Sequence, residues 1–262
     1  GEMRKSFYIY LGSILMFLYF PIFYLVIYSF NAGGDMVNFT GFSLDAYYEL
    51  FSNTNLFVVV LNTLIVGLIS ALVSVMIGFC GALVLYNLKN KRHQNIFNIL
   101  NSLFLVSPDV IVGTSLLSIF TLWHLPLGFV SVVLAHIAFS VPAVVIIVYA
   151  KLSTMNPKLI QAAQDLGASN MQVIKLVIIP IIFPALVGSF FTALTYSLDD
   201  FAVTFFVTGN GFSTLAIDIY TQARKGISLT INALSTIIFS IVMLGSITYY
   251  IFTKRKAKGV RK

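Results

Sequence analysis

Charge is what this chain has least of. Only 10% of its 262 residues are Asp, Glu, Lys or Arg, while 58% are hydrophobic and the mean hydropathy is +0.94. Soluble domains carry about 25% charged and about 45–50% apolar residues, so the departure on both counts points to a membrane protein. Cysteine is nearly absent: Cys80 stands alone inside an apolar run, which excludes an intramolecular disulfide framework and a Cys-based metal site. There is no G-x-x-x-x-G-K-[ST] phosphate loop, no H-E-x-x-H and no G-x-S-x-G. The chain therefore does not bind ATP in the P-loop manner and shows none of these hydrolase signatures. His124 and His136 lack a metal-ligand constellation and are read as histidines each satisfied by one partner carbonyl. No heptads, low-complexity tract or internal repeat stand out.

Long apolar runs are what the chain does have. A bilayer core of about 30 Å takes about 20 apolar residues per helix. Six runs qualify, over residues 7–30, 57–86, 96–122, 129–151, 176–207 and 229–252. The second and fifth exceed a simple span and are expected to tilt or to extend beyond the lipid. Backbone polar groups in lipid must be satisfied within the segment, and strand-type alternation is absent, so the spans are read as helices. The expectation is an all-α polytopic protein, a single transmembrane domain over residues 1–262. The first run could be a cleaved leader, but it is longer than a signal core and ends in Tyr28, Ser29 and Phe30, so it is taken as a retained helix. Gly1 and Glu2, ahead of Met3, are set aside as a shifted start. The stretch "FSLDAYYELF" (42–51) fits a short amphipathic helix at the interface.

The net charge of +7 comes from 16 Lys and Arg against 9 acids. On a soluble chain that balance would suggest nucleic acid. Here the basic residues flank apolar runs instead, so lipid is the partner and nucleic acid is not. Arg4 and Lys5 precede the first run, and Lys89, Lys91, Arg92 and His93 follow the second. Lys151, Lys158 and Lys175 surround the fourth connection, and the tail holds Lys254, Arg255, Lys256, Lys258, Arg261 and Lys262. The connection 31–56 has no Lys or Arg, and only Arg224 and Lys225 break the pattern. Six spans with both termini cytoplasmic satisfy the positive-inside bias.

One segment fits neither lipid nor loop: "QAAQDLGASNMQVIKLVIIP", from Gln161 to Pro180. Asn156-Pro157 can start a helix, and Leu159, Ala162, Ala163 and Leu166 form an apolar stripe two turns long. Gly167 is a plausible stop. Ser169 can cap a second helix that ends near Pro180. Such a helix–Gly–helix element either rests on lipid headgroups or fits a partner's groove. The segment resembles the EAA loop of binding-protein-dependent ABC importer permeases, in which Glu-Ala-Ala is followed by three residues, Gly, nine residues, an aliphatic, two residues and Pro. Ala162, Ala163, Gly167, Val177 and Pro180 fall at the matching positions, and Gln161 replaces the usual Glu. A Gln can hydrogen-bond but makes no charge-assisted contact with an Arg, so docking there either leans on Asp165 or is weaker.

Further segments extend the likeness over nearly the whole chain: "SPDVIVGTSLL" (107–117), "HIAFSVP" (136–142), "SLDDFAVTFFVTG" (197–209) and "NALST" (232–236). They resemble a permease subunit of the spermidine/putrescine importers. The resemblance implies a type I, MetI-like architecture with cytoplasmic coupling helices and no cofactor in this chain, ATP and Mg being held by a partner ATPase. It also implies a second, homologous permease subunit in a heterodimer, two ATPase subunits docked at Gln161–Pro180, an extracytoplasmic polyamine-binding protein, and a bacterial inner membrane. Relatives that import ferric iron, thiamine or a phosphonate share the loop and remain the alternative.

Three acids lie in or at the ends of apolar runs: Asp109, Asp199 and Asp200. An ionisable group in a span costs several kcal/mol and marks a pathway or partner site. No Lys or Arg lies within these runs to pair with them. A polycationic substrate is one answer, since carboxylates accept ammonium hydrogen bonds. A cap, a subunit contact or a hydrated interface is the other. On a regular helix adjacent residues differ by about 100°, which would aim Asp199 and Asp200 apart and pair Asp200 with Tyr196 one turn earlier. Asp109 follows Pro108, so a broken helix near mid-span is expected there, with Asp109 either on the path or capping the restart. Paired acids also occur in intramembrane aspartyl enzymes; that reading would require Asp109 to approach Asp199 or Asp200.

Overall fold

The computed structural model describes residues 2–226 and 228–259. Among these residues the chain is helical throughout, with one isolated β-bridge between Asn31 and Phe42. In chain order the helices are α1 (Glu2–Tyr28), α2 (Asp45–Ser52), α3 (Thr54–Asn87), α4 (Lys91–Val106), α5 (Asp109–Leu122), α6 (Phe129–Ser153) and α7 (Lys158–Asp165). They continue with α8 (Asn170–Val173), α9 (Ile179–Asp199), α10 (Ala202–Val207), α11 (Leu215–Lys225) and α12 (Leu229–Gly259). A π-turn, Ile174–Ile178, joins α8 to α9. Five described stretches are long and apolar enough to cross a membrane: Phe7–Tyr28, Thr54–Asn87, Phe129–Ser153, Asn170–Asp199 and Leu229–Thr248. Arg261 and Lys262 of the basic tail lie outside the described residues.

The third and fifth apolar runs are not single straight helices. α4 and α5 qualify as a span only together, and they meet at 104°. The cause is Pro108, which has no N–H to give and pushes the preceding residue out of the helical region. Ser107 and Pro108 both take extended ψ, 136° and 135°. The fifth run breaks where no proline stands. Asp200 adopts ψ 119°, ending α9 at Asp199, and the chain restarts as α10 after Phe201.

Two compact units make up the chain. One comprises residues 1–57 and 219–262. In it α12 packs against α1 and α2 around a small core of Ala46, Leu229 and Ala233. The loop between α1 and α2 is ordered by Asn31: its Oδ1 accepts N–H bonds from Gly33 and Thr40, and its Nδ2 donates to the carbonyls of Asp35 and Asn38. In the same loop the N–H groups of Asn38 and Val37 hold the Asp35 carboxyl below its ordinary pKa.

The other unit, residues 58–218, carries two cores. One gathers Val144, Val148 and Leu152 of α6 with Ile182 and Ala193 of α9 and Ala71 and Ala82 of α3. The second joins Val112 and Phe120 of α5, Val132 and Ala135 of α6, and Val203 and Val207 of α10. α5 and α10 approach closely because of Gly113. A Cβ there would meet Phe206 Cδ2 at 2.7 Å, Val203 Cα at 3.2 Å and the Ala202 carbonyl at 3.4 Å. Gly78 plays a similar part against Val144, whereas a Cβ on Gly245 would meet nothing within 4 Å.

Candidate functional site

The two helix breaks meet at one cavity. Its volume is 470 Å³, and Asp109, Asp199, Asp200 and Tyr196 line it with Phe104, Phe139 and Phe201. Among its lining residues there is no Lys, Arg or His. The lining therefore offers up to three negative charges, aromatic faces and no fixed cation. Asp109 is the first residue of α5, where a carboxylate is favoured by the helix dipole. No side-chain cap closes that helix end, so Asp109 does not cap it, and its side chain is exposed.

Asp199 and Asp200 line the same cavity despite being adjacent. The expected separation of about 100° holds only for a regular helix, and the break at Asp200 removes that condition. Their surroundings differ sharply. Asp199 is exposed at the end of α9 and Tyr196 is 42% exposed. Asp200 is half-buried and tied into the start of α10: Oδ1 accepts the Val203 N–H at 3.3 Å, and Oδ2 accepts the Thr204 N–H at 2.8 Å and the Thr204 hydroxyl at 2.6 Å. The first N–H groups of any helix lack intrahelical partners, and this carboxylate supplies two of them.

Behind Asp200 lies a polar cluster that the sequence reading missed. His136 of α6 is fully buried; its Nδ1 stands 2.6 Å from Ser197 Oγ, and its Nε2 stands 2.8 Å from Thr204 Oγ1 and 3.6 Å from Asp200 Oδ2. Ser197 is also 3.2 Å from Ser70 Oγ of α3. The expected single carbonyl partner for His136 is thus replaced by two hydroxyls. The available signal was an Asp three or four residues ahead of Val203 and Thr204 inside an apolar run, a helix-start pattern. Nothing local in the sequence pointed to His136.

The segment Gln161–Pro180 lies apart from this cavity. Asn156 Oδ1 accepts the Lys158 N–H at 3.1 Å and starts α7. α7 ends in a Schellman turn: the Gly167 N–H donates to the Gln164 carbonyl, the Ala168 N–H to the Ala163 carbonyl, and Gly167 sits at φ +85°. Glycine enters that region without the Cβ penalty of other residues. Ser169 and Gln172 form a reciprocal capping box at the start of α8.

The stripe Leu159, Ala162, Ala163 and Leu166 is mostly exposed, and one expectation for this segment, a stop near Pro180, is corrected. Ile160 and Ala163 pack on the core, while Leu159 and Ala162 are exposed and Leu166 is 90% exposed. The helix does not stop at Pro180. The Ile179 N–H reaches back to the Ile174 carbonyl in the π-turn, and this wider turn eases the clash that proline makes with the carbonyl four residues earlier. Gln161, Ala162, Asp165, Gly167 and Pro180 are all exposed, and Ala163 is half-buried.

Residues 3–262 match the family described as binding-protein-dependent transport system inner membrane component. The chain belongs to that family. It is 32% identical over 250 residues to the spermidine/putrescine transport system permease protein PotC of Escherichia coli K12, covering 95% of this chain and 94% of that protein. Identity to the putrescine transport system permease protein PotI of the same organism is also 32%, over 252 residues, covering 94% and 90%. Among solved structures the fold is similar to a chain of a bacterial ABC transporter that imports the acidic polysaccharide alginate (TM-score 0.72, 18% identity, 97% of each chain). A chain of the MetNI methionine ABC transporter gives TM-score 0.59 at 17% identity, covering 76% of this chain and 95% of that one.

The chain is thus an inner-membrane permease of a binding-protein-dependent ABC importer. Permease subunits of this family are not themselves catalytic. Such a system implies an ATPase, a binding protein and a partner permease beside this subunit.

Proposed function

We propose that this permease is one half of the translocation pathway of a polyamine importer for spermidine, putrescine or both. The observation that carries the reading is the cavity at the two helix breaks, where Asp109, Asp199 and Asp200 converge with Tyr196 and no cationic side chain lines the wall. A polyamine leaving water needs hydrogen-bond acceptors and negative charge along its path. Aromatic faces attract alkylammonium groups besides. The likeness to PotC and PotI supports the same substrate class. Importers of anionic solutes such as a phosphonate need donors in the path, and this cavity has the opposite sign.

In this reading the whole chain works as one permease domain over residues 1–262 with both termini cytoplasmic, beside a homologous partner permease in a heterodimer. Two ATPase subunits bind ATP and Mg, and one docks on the element built from Gln161, Ala162, Ala163, Asp165, Gly167 and Pro180. ATP-driven closure opens the cavity outward, and the extracytoplasmic binding protein releases polyamine into it. The return to the inward state delivers the cargo. The permease makes and breaks no bond in its cargo; it supplies a bistable frame whose states bind the ATPase differently.

The test is uptake of labelled spermidine by cells lacking this chain, with the chain restored beside the other importer subunits. Uptake that returns only with the chain, and only with an active ATPase, is the predicted result. An assembled complex that restores no uptake of spermidine or putrescine discards polyamine as cargo and leaves the importer architecture standing.

A further inference from the structure

We infer that His136 is a positioning residue for the cargo path: acting through Thr204, it sets the Asp200 carboxylate in the orientation that receives an ammonium group. The inference rests on the polyamine reading of the cavity and names a residue outside it, since His136 is absent from the cavity wall.

The proton inventory of the cluster fixes the direction of the two side-chain bonds that Thr204 makes. Thr204 has one hydroxyl proton. Its oxygen lies 2.6 Å from Asp200 Oδ2, and an ionised carboxylate only accepts, so that proton goes to Asp200. The contact of 2.8 Å between Thr204 Oγ1 and His136 Nε2 must then be donated by the ring. His136 therefore carries its proton on Nε2. Nδ1 shares a hydrogen bond with the Ser197 hydroxyl at 2.6 Å. Ser70 donates to Ser197 or, at 2.6 Å, to the Val66 carbonyl. The relay thus runs from Ser197 on α9 through His136 on α6 and Thr204 on α10 to Asp200.

Each step has a mechanical consequence. A threonine hydroxyl in a helix chooses between rotamers, and it commonly bonds the carbonyl four residues back. The donor at His136 Nε2 selects the rotamer that aims the Thr204 hydroxyl at the Asp200 side chain instead. With Val203 N–H on Oδ1 and Thr204 N–H and hydroxyl on Oδ2, the carboxylate of a non-helical residue loses its freedom to turn. A preorganised acceptor binds a cation without first spending conformational entropy. His136 also contacts both sides of the break, Ser197 before it and Thr204 after it, so one side chain pins the geometry of residues 199–202.

The experiment uses the assembled importer in vesicles, with labelled spermidine as the probe, and separates KM from Vmax at equal amounts of complex. Thr204→Val keeps the side-chain volume and removes the hydroxyl; His136→Phe fills the ring's space without donors. Each is expected to raise KM about tenfold, the size of one lost hydrogen bond to a charged group. Thr204→Ser and His136→Gln keep a hydroxyl and a donor, respectively, and should stay within about threefold of wild type. The double variant Thr204→Val with His136→Phe should be no worse than the more impaired single, because both cut the same relay.

An assembled Thr204→Val importer with wild-type KM overturns the inference. So does a loss confined to Vmax, which a purely structural role would give, or multiplied KM effects in the double variant. A wild-type importer that carries neither spermidine nor putrescine contradicts the polyamine reading itself, and the inference falls with it.

Discussion

At the scale of single residues, the three acids of the cavity share a charge but differ in their ties. No described side chain donates to Asp109, which is exposed at the start of α5. Asp109→Asn should therefore leave assembly unchanged and weaken spermidine uptake at low substrate by about tenfold, the worth of a charge-assisted hydrogen bond. Unchanged initial rates of labelled uptake would remove Asp109 from the path. Asp200 has two duties, so Asp200→Asn should lose uptake and also cost stability. A carboxamide nitrogen at the Oδ2 position would face two donors from Thr204, and leaving such groups unpaired costs about 1–3 kcal/mol. Thermal unfolding of the purified subunit in detergent reads the second effect, and a variant as stable as wild type would show that the carboxylate does not hold α10.

At the scale of elements, what was legible in the sequence depended on whether the cause was local. The break between α4 and α5 was readable because Pro108 forbids the helix on its own. The Schellman turn at Gly167 and the capping box at Ser169 were readable for the same reason. The break at Asp200 was less so, because no proline marks it and the local contact with Thr204 is joined by one with His136 from a distant part of the chain. On α7 the periodicity found the apolar stripe but not that Ile160 and Ala163 turn to the core while Leu159 and Leu166 are exposed, because periodicity does not say which surface an apolar residue meets. Two predictions belong here. Gly113→Val should destabilise the α5–α10 packing by about 1–3 kcal/mol, as overpacking does, seen as a lower midpoint of thermal unfolding; an unshifted midpoint would mean the two helices separate freely. Leu166→Glu should leave the fold intact, since the side chain is 90% exposed, while reducing co-purification of the ATPase. Full co-purification would move the docking surface elsewhere.

At the scale of the whole molecule, the sequence identified the class of protein more fully than the arrangement of its site. Composition and run length pointed to a six-span helical protein, with one span taken by the bent pair α4 and α5. Matched spacing around Gly167 pointed to an importer permease, and the family match over residues 3–262 agrees. The clustering of Asp109 with Asp199 and Asp200 was beyond sequence reading, since it requires two breaks in separate spans to meet. That clustering is also where the account is most exposed. Its central claim is that the acids of this cavity make the path for a polycation. The most direct measurement is ATP-dependent accumulation of labelled spermidine in vesicles holding the complete importer, compared between wild type and a variant with Asp109, Asp199 and Asp200 all changed to Asn. The account predicts accumulation by wild type and a loss of at least about tenfold in the variant at low spermidine, with equal amounts of assembled complex. Equal accumulation by the two would contradict it and return the three carboxylates to a purely structural role.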